Sequence, residues 1–301
     1  MKKSRYFLLL IGLLSSCGSV GTSPSISEQV SDEPTVEPTQ NESVEPTVDA
    51  SNNDPEIVNE VETWKILEDT LYETTVYKYT SNVPGKRCVI VGGIHGDEVA
   101  GWKAALQLKE RRDFIGEVLI IPQANIFACK RNERYPGRGT AVNGIKYKDL
   151  NRNFPGKANG NVTEQIAHAI TQTVIDFNAD IIIDLHESLR SSSSSYFDQD
   201  TSSRLGDLLI YGNSWTSLFT QTVIEDYNAL YLQDGDYPFG TDTYAPGGSF
   251  NQYFGKLYEE RIVFTIETTR YFSESEPKDE DRRIQQQLEL IDLALKYSID
   301  F

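Results

Sequence analysis

Histidine and cysteine are scarce in this chain, three of each in 301 residues, and no Cys-x-x-Cys pair occurs. That excludes a zinc site built from thiolates. Basic residues are also short, 28 Lys and Arg against 45 Asp and Glu, leaving a net charge of -17. No basic stripe is present, which excludes nucleic acid as a partner. Long apolar runs are lacking too. The stretch from Tyr6 to Leu14 is too short to span a bilayer as a permanent helix.

That stretch follows Lys2, Lys3 and Arg5 and precedes small residues, the layout of a secretory signal. Its ending, "LSSC", resembles a bacterial lipobox, which implies cleavage before Cys17 and lipidation of the Cys17 thiol. The expectation is an exported lipoprotein held at a membrane of the cell envelope, with residues 1–17 as its signal. Residues 18–56 contain no Lys, Arg or aromatic residue and repeat "EPT" at 33, 37 and 45. Such a segment buries too little apolar surface to offset its ordering entropy, so it reads as a disordered acidic linker. A globular domain is expected at 57–301.

Apolar runs at 75–80, 87–94, 117–124, 180–186 and 261–268 read as buried strands. Helical periodicity falls between them, at 98–111, 163–177 and 214–227, with a last helix at 279–297 carrying Ile284, Leu288, Ile291 and Leu295 on one face. Strands apolar on both faces and alternating with helices predict a single α/β domain, a mostly parallel mixed sheet flanked by helices. Cys88 and Cys129 would sit at opposite ends of neighbouring strands, so two buried free thiols are expected.

Ligands of open α/β sheets bind beyond the carboxyl ends of the strands. His95, Glu98, His186 and Glu267 all fall at that edge. Two imidazoles and a carboxylate can hold zinc with a fourth position open, and a separate carboxylate can move a proton. A lone His-x-x-Glu is equally a surface pair, and a histidine at a strand end is equally a hydrogen-bonded one. His168 lies mid-helix and reads as structural.

The ordered set "GGIHGDE" at 92–98, "DLNRNFPG" at 149–156, "DLHES" at 184–188 and "FTIETT" at 264–269 resembles the zinc carboxypeptidase family. The match lies close to its branch of murein-peptide amidases, succinylglutamate desuccinylases and aspartoacylases. The resemblance implies one Zn2+ ion on His95, Glu98 and His186, with Glu267 as general base. It implies that Asn151 and Arg152 hold a substrate carboxylate, and that Tyr244, in "TYAPGGSF", closes on substrate. The carbonyl-polarising arginine falls to Arg134 or, as runner-up, Arg138. Phe250, after the Gly-Gly-Ser turn, would line or approach the specificity pocket.

Glu187, beside His186, departs from the family pattern, and the serine run at 191–195 reads as a loop at the site's rim. The implied activity is hydrolysis of an amide bond in a peptide or N-acyl amino acid with a free carboxylate. A metallocarboxypeptidase or murein-peptide amidase is one form, and an N-acyl amino acid deacylase is another. A binding lipoprotein that lost catalysis is a third reading, and it requires a missing ligand or base.

Overall fold

The computed structural model describes residues 56–135, 149–190, 206–243, 245–273, 276–299 and 301, all within one compact unit, Asn53–Phe301. Cys17, the linker, Arg138, the serine run and Tyr244 lie outside the described residues.

Among the described residues, nine strands form one mixed sheet. They are β1 (Asn59–Ile66), β2 (Thr74–Ser81), β3 (Arg87–Gly92), β4 (Glu117–Ile121), β5 (Ile181–Arg190), β6 (Leu208–Tyr211), β7 (Gly240–Asp242), β8 (Ile262–Ser273) and β9 (Glu276–Pro277). The order is β1-β2-β4-β3-β5-β8-β6-β7, with β9 on β8. The four central strands, β4, β3, β5 and β8, are parallel. Antiparallel partners flank them on both sides. The helices are α1 (Val99–Leu108), α2 (Ile126–Cys129), α3 (Val162–Phe177), α4 (Thr216–Leu230), α5 (Phe250–Leu257) and α6 (Glu280–Tyr297).

Strand β3 shows why the central strands are apolar on both faces. Cys88 and Ile90 enter a core layer shared with Leu108, Phe219, Val223 and Leu290, whereas Val89 and Val91 enter one shared with Ile166, Ile170, Val174 and Phe254. Alternate residues of a strand point to opposite faces, so α1, α4 and α6 cover one side and α3 and α5 the other. Cys88 and Cys129 are buried and unpaired.

The expected boundaries shift for physical reasons. The strand expected at 117–124 ends at Ile121, because Pro122 has no N–H to continue the ladder. The strands expected at 180–186 and 261–268 run on to Arg190 and Ser273, pairing with each other past the body of the sheet. Strand β1 escapes the sequence reading because "NEVETWKI" is largely exposed and charged, as suits an edge strand. Strands β6, β7 and β9 and helices α2 and α5 are too short for a clear period.

Candidate metal centre

The site is assembled where β3 ends beside the longer strands β5 and β8. Leu185 of β5 pairs with Gly92, the last residue of β3, and His186 pairs with Glu267 of β8. His95 follows β3 by three residues. Gly96 permits this bend, because a Cβ there would stand 2.2 Å from the Ala128 carbonyl carbon.

His95, Glu98 and His186 are all buried, and their ligand atoms lie within 4.8 Å of one another. His95 places Nδ1 2.8 Å from Glu98 Oε1, and His186 places Nδ1 2.5 Å from Glu98 Oε2. The outer nitrogens meet other acids: His95 Nε2 is 2.8 Å from Asp149 Oδ1, and His186 Nε2 is 2.8 Å from Asp184 Oδ2. Each imidazole thus turns Nδ1 inward while a carboxylate fixes its Nε2, the support that metal-binding histidines commonly have. The donor set fits a small divalent cation such as zinc.

Charge follows from this packing. Burial alone would raise Glu98, but His95 and His186 hold its carboxyl well below the usual range. Burial would lower His186, but Asp184 and Glu98 outweigh it and raise the imidazolium well above the usual value. Asp149 is held down at about 2 against the effect of burial, through His95 and then Arg152 and Arg134. Glu267 is raised well above the usual carboxylate range, first by burial and then by Glu98 and Asp184, with His186 opposing.

Glu98 occupies the N-cap position of α1, yet its side chain caps nothing. It also accepts the Glu187 N–H at 3.1 Å. The cap comes from Glu187, whose Oε2 accepts the Ala100 N–H at 2.9 Å while its other oxygen accepts from Arg283 of α6. The carboxylate of the acid beside His186 is therefore engaged by α1 and α6 rather than by the two imidazoles. It substitutes for Glu98 as a helix cap and ties β5 to α6. Gln287 of α6 adds a hydrogen bond from Nε2 to the His186 carbonyl at 2.8 Å.

The side chains of His95, Glu98 and His186 open into a cavity of about 420 Å³, with Arg134, Asn151, Arg152 and Glu267 also on its wall. Arg134 Nη1 donates to Glu98 Oε1 at 2.6 Å. Asn151 Nδ2 lies 3.3 Å from His186 Nε2, and Asn151 Oδ1 accepts the Phe250 N–H at 2.8 Å. Arg152 donates Nη1 to the Asn151 carbonyl at 2.6 Å. Gly248 has φ +77° and passes so close beneath Arg152 that a Cβ would stand 2.5 Å from the Arg152 carbonyl oxygen.

One expectation is overturned. Phe250 does not line the pocket; it is fully buried, edge-on to Phe154 at 5.2 Å and tilted against Phe254 at 4.7 Å. As the first residue of α5, it faces the apolar layer beneath the turn. The cavity wall is instead formed here by Ser249, Asn251, Ile210 and Thr265. Asp149, Asp184, Gln287 and Arg270 were not singled out from sequence. The "DLN" and "DLH" triplets place Asp149 and Asp184 close to candidate residues, the one available signal. The contacts of Gln287 and Arg270 span distant segments and leave no local pattern.

Two buried histidines and a buried carboxylate thus stand together beside the carboxyl end of β3 in a mixed sheet, and the zinc carboxypeptidase-like resemblance holds. Residues 84–205 match the family described as the succinylglutamate desuccinylase/aspartoacylase catalytic domain. N-alpha-acetyl-L-2,4-diaminobutyric acid deacetylase of Halomonas elongata is 36% identical over 110 residues, 36% of this chain and 30% of that protein. The matched stretch thus spans less than a third of that relative's length. Among solved structures, a succinylglutamate desuccinylase from Silicibacter sp. shares the fold at TM-score 0.52 and 18% identity, over 81% of this chain and 70% of the other. The tripeptide-bound cell shape determinant Csd4 of Helicobacter pylori does so at TM-score 0.56 and 18% identity, over 80% and 56%.

Proposed function

We propose that this chain is a zinc-dependent hydrolase of amide bonds, releasing an amino acid with a free carboxylate from a peptide or an N-acyl amino acid. The observation that carries this reading is the pair of inward Nδ1 atoms around Glu98, each imidazole braced by its own acid, with Glu267 in register beside His186. His95, Glu98 and His186 would hold the ion. Zinc bound there supplies a Lewis acid that polarises the substrate carbonyl and makes a water more acidic.

The chain's own groups do the rest. Glu267, whose burial favours the protonated form, takes a proton from water and returns it to the leaving nitrogen. Arg134 lies at the ligand carboxylate, within the same cavity, where its guanidinium favours a developing oxyanion. Asn151 and Arg152 bind the terminal carboxylate, a planar guanidinium suiting a two-point contact. Arg138 and Tyr244 are the further substrate-binding positions in this reading.

A murein-type peptide such as L-Ala-γ-D-Glu-meso-diaminopimelate is the first candidate substrate, supported by the fold shared with the tripeptide-bound Csd4. An N-acyl amino acid is the second, supported by the deacetylase that matches over 110 residues. A binding protein without catalysis would need to lack a ligand or the base, and His95, Glu98, His186 and Glu267 stand together here. Lipidation at Cys17, an extended linker to residue 56 and attachment to the cell envelope complete the proposal. Cys17→Ser moving the protein from the membrane fraction to the soluble one tests the anchor.

For the chemistry, full-length protein with zinc is incubated with the tripeptide and with N-acyl amino acids, and products are read by mass. Release of the terminal amino acid is expected, with Glu267→Gln slower by at least about a hundredfold while retaining the metal. A Glu267→Gln protein that keeps zinc and the parent rate contradicts the reading.

A further inference from the structure

We propose that Arg270 is a specificity-determining residue that reads a carboxylate on the acyl part of the substrate, across the scissile amide from the leaving amino acid. The inference rests on the hydrolase reading above and narrows it to acyl groups that carry a negative charge of their own.

Strand β8 runs along the cavity and divides it. Thr265, Glu267 and Arg270 all line the wall. The Thr265 end belongs to the leaving amino acid. There the Thr265 hydroxyl accepts from Asn251 Nδ2 at 2.9 Å, at the start of α5, and the neighbouring Phe250 N–H bonds Asn151 beside Arg152. Arg270 lies three residues past Glu267 in the opposite direction, roughly 10 Å of strand. Ser188 and Leu189, which follow His186 on the paired strand β5, line the same end. A substrate with its terminal carboxylate at Arg152 and its scissile amide at Glu267 therefore brings its acyl part to Arg270.

The chemistry at that end fits an anion. Arg270 Nη1 donates to the main-chain oxygen of Asp97 at 3.1 Å, which orients the guanidinium without neutralising it. Its Nη2 stands 3.6 Å from Asp97 Oδ2, longer than a hydrogen bond, and its Nε has no hydrogen-bond partner among the described residues. Asp97 is shared, since Arg134 Nη1 is 3.9 Å from its other oxygen. The short contact of Arg134 is to Glu98 Oε1 at 2.6 Å, so Asp97 stands mainly with Arg270. The next acid along the wall, Glu187, is committed to Arg283. Arg270 thus keeps Nε and Nη2 without a hydrogen bond among the described residues at this end of the cavity. A guanidinium fork with free donors is the group that binds a carboxylate at two points. A succinyl group or a γ-linked glutamyl residue presents one; an acetyl group does not.

The test uses two substrate pairs that differ in that carboxylate alone. The first is L-Ala-γ-D-Glu-meso-diaminopimelate against the same peptide with its D-glutamate α-carboxylate converted to the carboxamide. The second is N-succinyl-L-glutamate against its N-succinamoyl analogue. Binding is measured by calorimetry on full-length, zinc-loaded Glu267→Gln protein, so that turnover does not interfere. In at least one pair the acid is expected to bind about tenfold to a hundredfold more tightly than the amide. Adding Arg270→Gln should bring the two together with zinc content and melting temperature unchanged, and Arg270→Lys should keep part of the difference. Equal binding of acid and amide in both pairs, no binding of either pair, or discrimination that survives Arg270→Gln would overturn the proposal. The acid-to-amide comparison on the Arg270 protein decides the matter even if Arg270→Gln does not fold. Discrimination without product release by the Glu267 protein would keep this inference and remove the hydrolytic reading. Release with no discrimination would do the reverse.

Discussion

Each imidazole of the centre has two nitrogens, and which one faces inward is decided by an acid on the other side. Asp149 holds His95 at Nε2, and Asp184 does the same for His186. Neither acid was read from the sequence as a site residue, because a carboxylate that acts through a histidine differs in no visible way from one that caps a turn. Asp149 does both, accepting the Asn151 N–H at 3.0 Å. Its folded value of about 2 lies below the ordinary 3.8, so it stabilises the fold by about 2 kcal/mol above pH 4, an effect lost as pH falls through 2. In metal-free protein, Asp149→Asn is expected to lower stability by that order at pH 6. The gap to the parent should close as pH falls from 4 towards 2, read by chemical denaturation. A gap independent of pH would mean that Asp149 acts through its shape alone.

At the scale of elements, α1 and α6 are joined to the site through one acid. Glu187 caps α1 at Ala100 and accepts from Arg283, leaving Glu98 free to face the histidines. Burial raises the Glu187 carboxyl, with Arg283 opposing, so the pair is held in place at a cost. Removing one partner leaves a buried charge unpaired, and Arg283→Met should destabilise the protein by about 3 kcal/mol. The double variant Glu187→Leu, Arg283→Met should recover much of that, short of the lost helix cap. Thermal unfolding of the three proteins checks this. No recovery in the double variant would show that packing rather than charge dominates. Such a bridge spans segments 96 residues apart and has no local signature. By contrast, β3, β5 and the body of α3 were plain in the sequence. Their residues are apolar with a clean period, and α3 is further marked by Asn161 and Glu164 forming a capping box.

For the whole molecule, the sequence reading reached the α/β architecture and the buried His95, Glu98 and His186 cluster with Glu267 beside it, because fully buried parallel strands and strand-end histidines both leave dense local patterns. It misplaced Phe250, since a residue next to a conspicuous turn can face the core as readily as the cavity. It did not find Arg270, whose partner Asp97 is 173 residues away. If residues 1–56 act only as leader and linker, protein lacking them should melt at the same temperature as the full chain with the same zinc content. A lower melting point would give that segment a part in the fold.

The most direct test of the account is the metal itself. Zinc content by mass spectrometry, with X-ray absorption for the ligand types, would be measured on the parent protein and on His186→Ala. The account predicts one zinc per chain, bound by two imidazole nitrogens and carboxylate oxygen, and its loss from His186→Ala with the fold retained. Zinc held equally by both proteins, or by neither, would contradict it.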